Sequence, residues 1–214
     1  MPRILCFGDS ITYGAWDSGG GWVARIRKRI DKICIDSDLQ SFILTYNLGV
    51  SSDTTDRLLA RFDSEIESHS KERGDNLIII SIGTNDSMTD TSGVHPVELP
   101  QFEENIRSLV KKAKTSALGV IFLGNLPVDE SKTQPFRDQP EINLTNANIK
   151  LYDHATQKIC QEMEVKFIPV FNEAIATKYR ELLFSDGLHP NENGHAFLAD
   201  KVWKYPIDNN WVVS

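Results

Sequence analysis

A chain of 214 residues is long enough to bury one sizeable core and short for two. With 40% hydrophobic and 25% charged residues it is neither a disordered nor a fibrous chain. A net charge of −7, from 30 acidic against 23 basic side chains, weighs against nucleic acid and anionic membrane as partners.

Short apolar runs alternate with stretches of helical period. Ile4 to Phe7 reads as a strand, and Trp22, Ile26, Ile30 and Ile33 mark the helix after it. The Arg25, Arg27, Lys28, Arg29 and Lys32 that interleave with them read as a solvated helix face. Phe42 to Leu48 is a second strand, followed by a helix on Leu58, Leu59, Phe62 and Ile66. Leu77 to Ile82 has the unbroken apolar pattern of a central parallel strand buried on both faces. A helix on Phe102, Ile106, Leu109 and Val110 leads to a strand from Gly119 to Leu123. A helix on Ile149, Tyr152, Ile159 and Met163 leads to a fifth strand, Val165 to Val170, and the last helix is expected over Asn193 to Trp203. Strands separated by helices call for right-handed crossovers and a parallel sheet between helix layers, in one α/β domain spanning residues 1–214.

Two irregular stretches, Ser87 to Leu99 and Leu126 to Glu141, each follow a strand and belong at the carboxyl edge of the sheet, where open α/β folds bind ligands. The second, with Pro127, Pro135 and Pro140, is read either as a cap over a hydrophobic groove or as a surface fold. Cys6, Cys34 and Cys160 are an odd number without C-x-x-C spacing, so neither a disulfide framework nor a structural zinc site is expected. No leader or membrane-spanning run is read, and a cytoplasmic setting is the expectation. Trp203, Tyr205 and Trp211 are read as packing on the domain or as a contact patch, and oligomeric state is not legible.

Four clusters of small and polar residues punctuate this pattern: GDSIT from Gly8, NLGVSSDTT from Asn47, SIGTNDS from Ser81 and SDGLHPNENGH from Ser185. The first three follow strands and the last precedes a helix, which places all four at one edge. Together they hold the parts of an acyl-transfer site. A serine is a poor nucleophile until a base takes its proton, and the base needs a fixed tautomer. Ser10 is the candidate nucleophile, His189 the base, and Asp186, three residues earlier, the group that holds the second ring nitrogen. The Ser10 and Gly49 amides and the Asn85 side-chain amide are the candidate donors to an oxyanion. Asp9 and Asp86 are read as structural acceptors, and Ser51 to Thr55 as the N-cap region of the second helix. His195 is read as part of a packed helix start rather than a metal ligand, and Tyr13 and Trp16 as partial core or as lining for an acyl or alcohol site.

GDSIT, the Gly49 block, GTND at Gly83 to Asp86 and DGLHP at Asp186 to Pro190 resemble, in order, the four blocks of the SGNH hydrolases, also called the GDSL esterase and lipase family. The resemblance spans nearly the whole chain. It implies a flavodoxin-like three-layer fold around a five-stranded parallel sheet and a serine esterase that works through an acyl-serine, without cofactor or metal. The same residues carry over: Ser10, Asp186 and His189 as the triad, and Ser10, Gly49 and Asn85 around the oxyanion. Small, soluble, short-acyl esters are the expected substrates. Lysophospholipase or thioesterase action is the alternative within the family, and a phosphate- or flavin-binding module of flavodoxin type is the alternative outside it.

Overall fold

The computed structural model describes residues 2–69, 76–137 and 139–208, so Trp211 lies outside the described residues. The elements run β1 (Arg3–Gly8), α1 (Ser10–Tyr13), α2 (Gly21–Asp36), β2 (Leu44–Gly49), α3 (Thr55–His69), β3 (Leu77–Ser81) and β4 (Thr89–Asp90). They continue with α4 (Leu99–Ser116), β5 (Gly119–Leu123), α5 (Glu130–Thr133), β6 (Ile142–Asn143), α6 (Asn146–Glu162), β7 (Lys166–Ile168), α7 (Phe171–Ile175) and α8 (Glu192–Asp208).

Five of the strands form one sheet in the order β2-β1-β3-β5-β7, every pair parallel. Its order reverses beside β1, so the turn after β1 opens at the switch point where such sheets bind ligands. Alternate side chains of the central strands enter two cores. Ile4, Cys6, Leu77 and Ile79 pack with Trp22, Ile26 and Ile30 of α2 and Leu198 and Val202 of α8. Leu5, Phe7, Ile78 and Ile80 pack on the opposite face with Leu58 and Phe62 of α3, Phe102 and Ile106 of α4 and Tyr152 and Ile159 of α6. Coverage of both faces is the physical reason that β1 and β3 are continuously apolar.

The edges depart from expectation. The second strand begins at Leu44 rather than Phe42, whose side chain is exposed, and the fifth contracts to Lys166–Ile168. Each is hydrogen-bonded to a single neighbour, which relaxes the demand for apolar residues at its ends. The basic face of α2 is only partly solvated, since Arg25 turns inward to pair with Asp17, whose side chain is buried. Trp203 packs against the α2/α8 core with Arg29 over its ring.

The two irregular stretches are tied together. Thr89 and Asp90 pair antiparallel with Asn143 and Ile142. A third, small core of Val128, Leu144, Ile149, Phe171 and Leu188 lies beneath them. The start of the 126–141 stretch packs inward: Leu126 and Val128 are buried, and the Asp129 amide donates to the Gly187 carbonyl at 2.8 Å, whereas Ser131, Lys132, Gln134 and Pro135 are exposed. No helix among the described residues is long and apolar enough to cross a membrane.

Candidate active site

Strand β1 ends at Gly8, and the chain turns at once into the single-turn helix α1. Asp9 is its N-cap, with Oδ1 accepting from the Ile11 amide at 2.9 Å. This cap fixes the direction of Ser10, the first helical residue, whose hydroxyl emerges at the carboxyl edge. Asp9 itself is buried, and that burial raises its carboxyl to about 6.

Ser10 Oγ lies 2.9 Å from His189 Nε2, and His189 Nδ1 lies 2.7 Å from Asp186 Oδ2. The other Asp186 oxygen accepts from the amides of Leu188 and His189 at 2.9 and 3.0 Å. Burial opposes charge on Asp186, but the His189 ring and these two amides outweigh it and hold the carboxyl below its ordinary range. Trp16 Nε1 stands 3.2 Å from the same His189 Nδ1. A ring nitrogen that gives its proton to Asp186 cannot also accept one from the indole, and the shorter bond to a charged carboxylate decides the tautomer. Nε2 is left with its lone pair facing Ser10.

The proposed oxyanion donors are placed unequally. Asn85 Nδ2 donates to the Asp53 carbonyl at 2.8 Å, which orients the side chain and uses one of its two hydrogens. Gly49 sits in a joint between β2 and α1. Its amide donates to Asn47 Oδ1 at 3.0 Å, while Asn47 Nδ2 donates to the carbonyls of Thr12 and Tyr13 at 2.9 and 3.2 Å. A Cβ on Gly49 would stand 2.2 Å from the Tyr13 nitrogen and 2.7 Å from the Thr12 carbonyl carbon. Glycine is needed there so that β2 can close on the helix carrying Ser10.

Asp86 faces away from this chemistry. Its Oδ1 accepts from the Thr55 amide at 2.9 Å and hydroxyl at 2.5 Å, fastening the start of α3, and burial raises its carboxyl to about 6. The Ser51 to Thr55 run divides its labour: Ser51 and Ser52 are an exposed turn, and Asp53 is buried against Arg61 at 2.7 Å. His195 is buried, and burial lowers its pKa to about 4. Among the described residues no group of three or more His, Cys, Asp or Glu side chains is arranged to hold a metal ion.

Sequence reasoning missed the supports. Arg61 reaches from α3 to the carbonyls of Gly8 and Leu48 at 3.2 and 2.8 Å, clamping the ends of β1 and β2. Asn125 accepts from the Thr84 hydroxyl at 3.1 Å and so joins the GTND turn to the end of β5. The signal for Arg61 was its place between Leu58 and Phe62 on the apolar side of α3. Tyr13 and Trp16 resolve as rim rather than core, at 61% and 62% exposure.

A parallel α/β sheet that gathers a hydrogen-bonded serine, histidine and carboxylate at its carboxyl edge defines the class, a carboxylic ester hydrolase of the serine type. Residues 6–197 match the model of the GDSL-like lipase/acylhydrolase family, and the chain belongs to that family. It is 26% identical over 211 residues to the isoamyl acetate-hydrolyzing esterase of Saccharomyces cerevisiae, covering 94% of this chain and 84% of the relative. It is 25% identical over 232 residues to the acetylxylan esterase of Geobacillus stearothermophilus, covering 99% and 96%. The fold matches the crystal structure of a lipase/acylhydrolase from Enterococcus faecalis with a TM-score of 0.78 at 22% identity, covering 98% of this chain and 97% of that one.

Proposed function

We propose that this single domain hydrolyses small esters of short acyl groups through an acyl-enzyme on Ser10. The observation that carries the reading is the continuous relay from Ser10 Oγ through His189 to Asp186, at 2.9 and 2.7 Å. His189 Nε2 takes the hydroxyl proton as Oγ attacks the ester carbonyl, and Asp186 stabilises the imidazolium that forms. The Ser10 amide, the remaining Asn85 hydrogen and the Gly49 amide, once turned from Asn47 Oδ1, donate to the oxygen that becomes negative. Collapse expels the alcohol, which leaves with the proton from Nε2. Water then repeats the sequence on the acyl-serine and releases the acid.

A short acyl group is supported by the relatives named for acetate esters in yeast and Geobacillus. A reducing, cytoplasmic setting is part of the proposal, supported by Cys6, Cys34 and Cys160 as buried free thiols.

The test is the release of p-nitrophenol from p-nitrophenyl acetate by wild type and Ser10→Ala, with a fluorophosphonate probe alongside. Turnover and labelling are both expected to disappear in the variant while its melting curve stays in place. Undiminished turnover would remove Ser10 from the mechanism.

A further inference from the structure

A chain of buried polar groups runs beneath the GTND turn and includes none of the reacting residues. Thr84 Oγ1 donates to Asn125 Oδ1 at 3.1 Å, and the Asn125 main-chain amide donates to Asp153 Oδ1 of α6 at 2.8 Å. Thr84, Asn125 and Asp153 are all buried. Polar groups taken out of water must find partners, and apolar side chains of similar size would fill the same space without that demand. The chain therefore calls for a use other than packing.

Its contacts converge on the turn. Gly83 opens the turn at φ 119°, and a Cβ there would stand 3.3 Å from Asn125 Nδ2, so glycine lets Asn125 approach the main chain closely. The same Nδ2 reaches the Ile82 carbonyl at 3.5 Å. Ser87 Oγ donates to the Thr84 carbonyl at 2.8 Å, and the Ser87 amide to the Gly83 carbonyl at 3.1 Å. On the far side of Asn85, the Asp86 carboxylate is tied to Thr55. Both chain neighbours of Asn85 are thus anchored by their own side chains to different elements, Thr84 just past the end of β5 and Asp86 at the start of α3.

One Asn85 amide hydrogen lies on the Asp53 carbonyl, and the direction of the other follows from where the main chain holds this residue. A donor stabilises an oxyanion only while it points at the place where charge develops. We propose that Thr84 and Asn125, anchored on Asp153, are positioning residues that aim the remaining Asn85 hydrogen at the oxyanion, acting through Asn85 rather than on the substrate. This assignment rests on the ester-hydrolase reading above, with Asn85 as a donor. Misaiming a donor is milder than deleting it, so the loss expected is smaller than the factor of about 10²–10³ that a missing oxyanion group costs.

The experiment is a double-mutant cycle on kcat and KM for p-nitrophenyl acetate, with thermal melts alongside, in Thr84→Val, Thr84→Ser, Asn85→Ala and the combined Thr84→Val, Asn85→Ala variant. Thr84→Val is expected to lower kcat about tenfold with KM within about twofold of wild type, while Thr84→Ser, which keeps the hydroxyl, retains most of the rate. In the Asn85→Ala background the same Thr84→Val change should cost no further rate, since the group being aimed is gone. An unchanged kcat in Thr84→Val, losses that multiply in the combined variant, a serine variant as impaired as valine, or a loss carried by KM would each overturn the positioning role. If Thr84→Val melts early, Asn125→Leu removes the acceptor instead and passes through the same cycle. Wild-type kcat in Asn85→Ala would take Asn85 out of the oxyanion and this proposal with it. Turnover that survives Ser10→Ala would instead strike the hydrolase reading itself, so the failures are separable.

Discussion

Asp186 holds His189 twice. One carboxylate oxygen meets ring Nδ1 at 2.7 Å and the other accepts from the backbone amide of the same residue at 3.0 Å. Ring and main chain are oriented by one group, so Asp186→Asn should leave the turn in place and fail electrostatically. An amide N–H facing Nδ1 favours the tautomer that puts a proton on Nε2, where the lone pair is needed. The expected result is a fall in kcat of about 10³–10⁴ with a small change in KM. Steady-state kinetics on p-nitrophenyl acetate decide it, and a loss of less than tenfold would mean that Asp186 only shapes the turn.

Asn85 and Gly49, both proposed at the oxyanion, call for different tests. Asn85→Ala removes an N–H while leaving β3 and its turn intact, and kcat should fall by about 10²–10³ with the unfolding midpoint retained. Gly49→Ala drives a methyl group into the backbone of α1, 2.2 Å from the Tyr13 nitrogen. Stability and activity should fall together there, because the helix carrying Ser10 must move. Thermal melts beside kinetics separate the two. A fully stable Gly49→Ala with a pure kcat defect would show instead that Gly49 serves the oxyanion and not the joint.

How much of this was legible in the sequence follows from where the forces act. Strands β1 and β3 were readable because both of their faces are covered, which writes a continuous apolar run. The short ribbon of Thr89 and Asp90 with Asn143 and Ile142 was not, since two residues carry no periodicity. Ser10, Asn85, Asp186 and His189 stood out because each sits where a strand or helix ends. Arg61 and Asn47 did not, for their value lies in what they touch across the fold: Arg61 bonds a carbonyl 53 residues away and Asn47 one 35 away. Asn47 and Gly49 share a short sequence block, and only the packing of β2 on α1 shows that they form one joint.

Asp9 gives a pH-dependent prediction. Burial raises its carboxyl from 3.8 in the unfolded chain to about 6 in the fold. Between these values the folded chain keeps a proton that the unfolded chain has released, so stability falls as pH rises through the window and the cost is complete above it. Asp9→Asn keeps an oxygen for the Ile11 amide and removes the titration. Its stability relative to wild type should improve by about 1–3 kcal/mol between about pH 4 and about pH 8. Urea unfolding at the two pH values measures the difference, and a change independent of pH would sink the argument.

Gly187 lies between Asp186 and His189, the proposed acid and base, at φ 78°. A Cβ there would stand 2.9 Å from the Lys132 Cβ and 3.2 Å from the Asp129 Cβ, on the helix α5 side of the turn. Gly187→Ala therefore faces a backbone cost of about 1–2 kcal/mol and a collision with the brace whose Asp129 amide holds the Gly187 carbonyl. Pushing the turn off that brace moves the Asp186 carboxylate, and with it the His189 ring that activates Ser10 in the proposed mechanism. The rate of inactivation by a fluorophosphonate reads Ser10 reactivity directly. It should drop at least about tenfold, alongside a lowered melting point, since small displacements at a reacting centre are costly. A variant that melts early yet reacts with the probe at the wild-type rate would show that the turn and the brace are uncoupled.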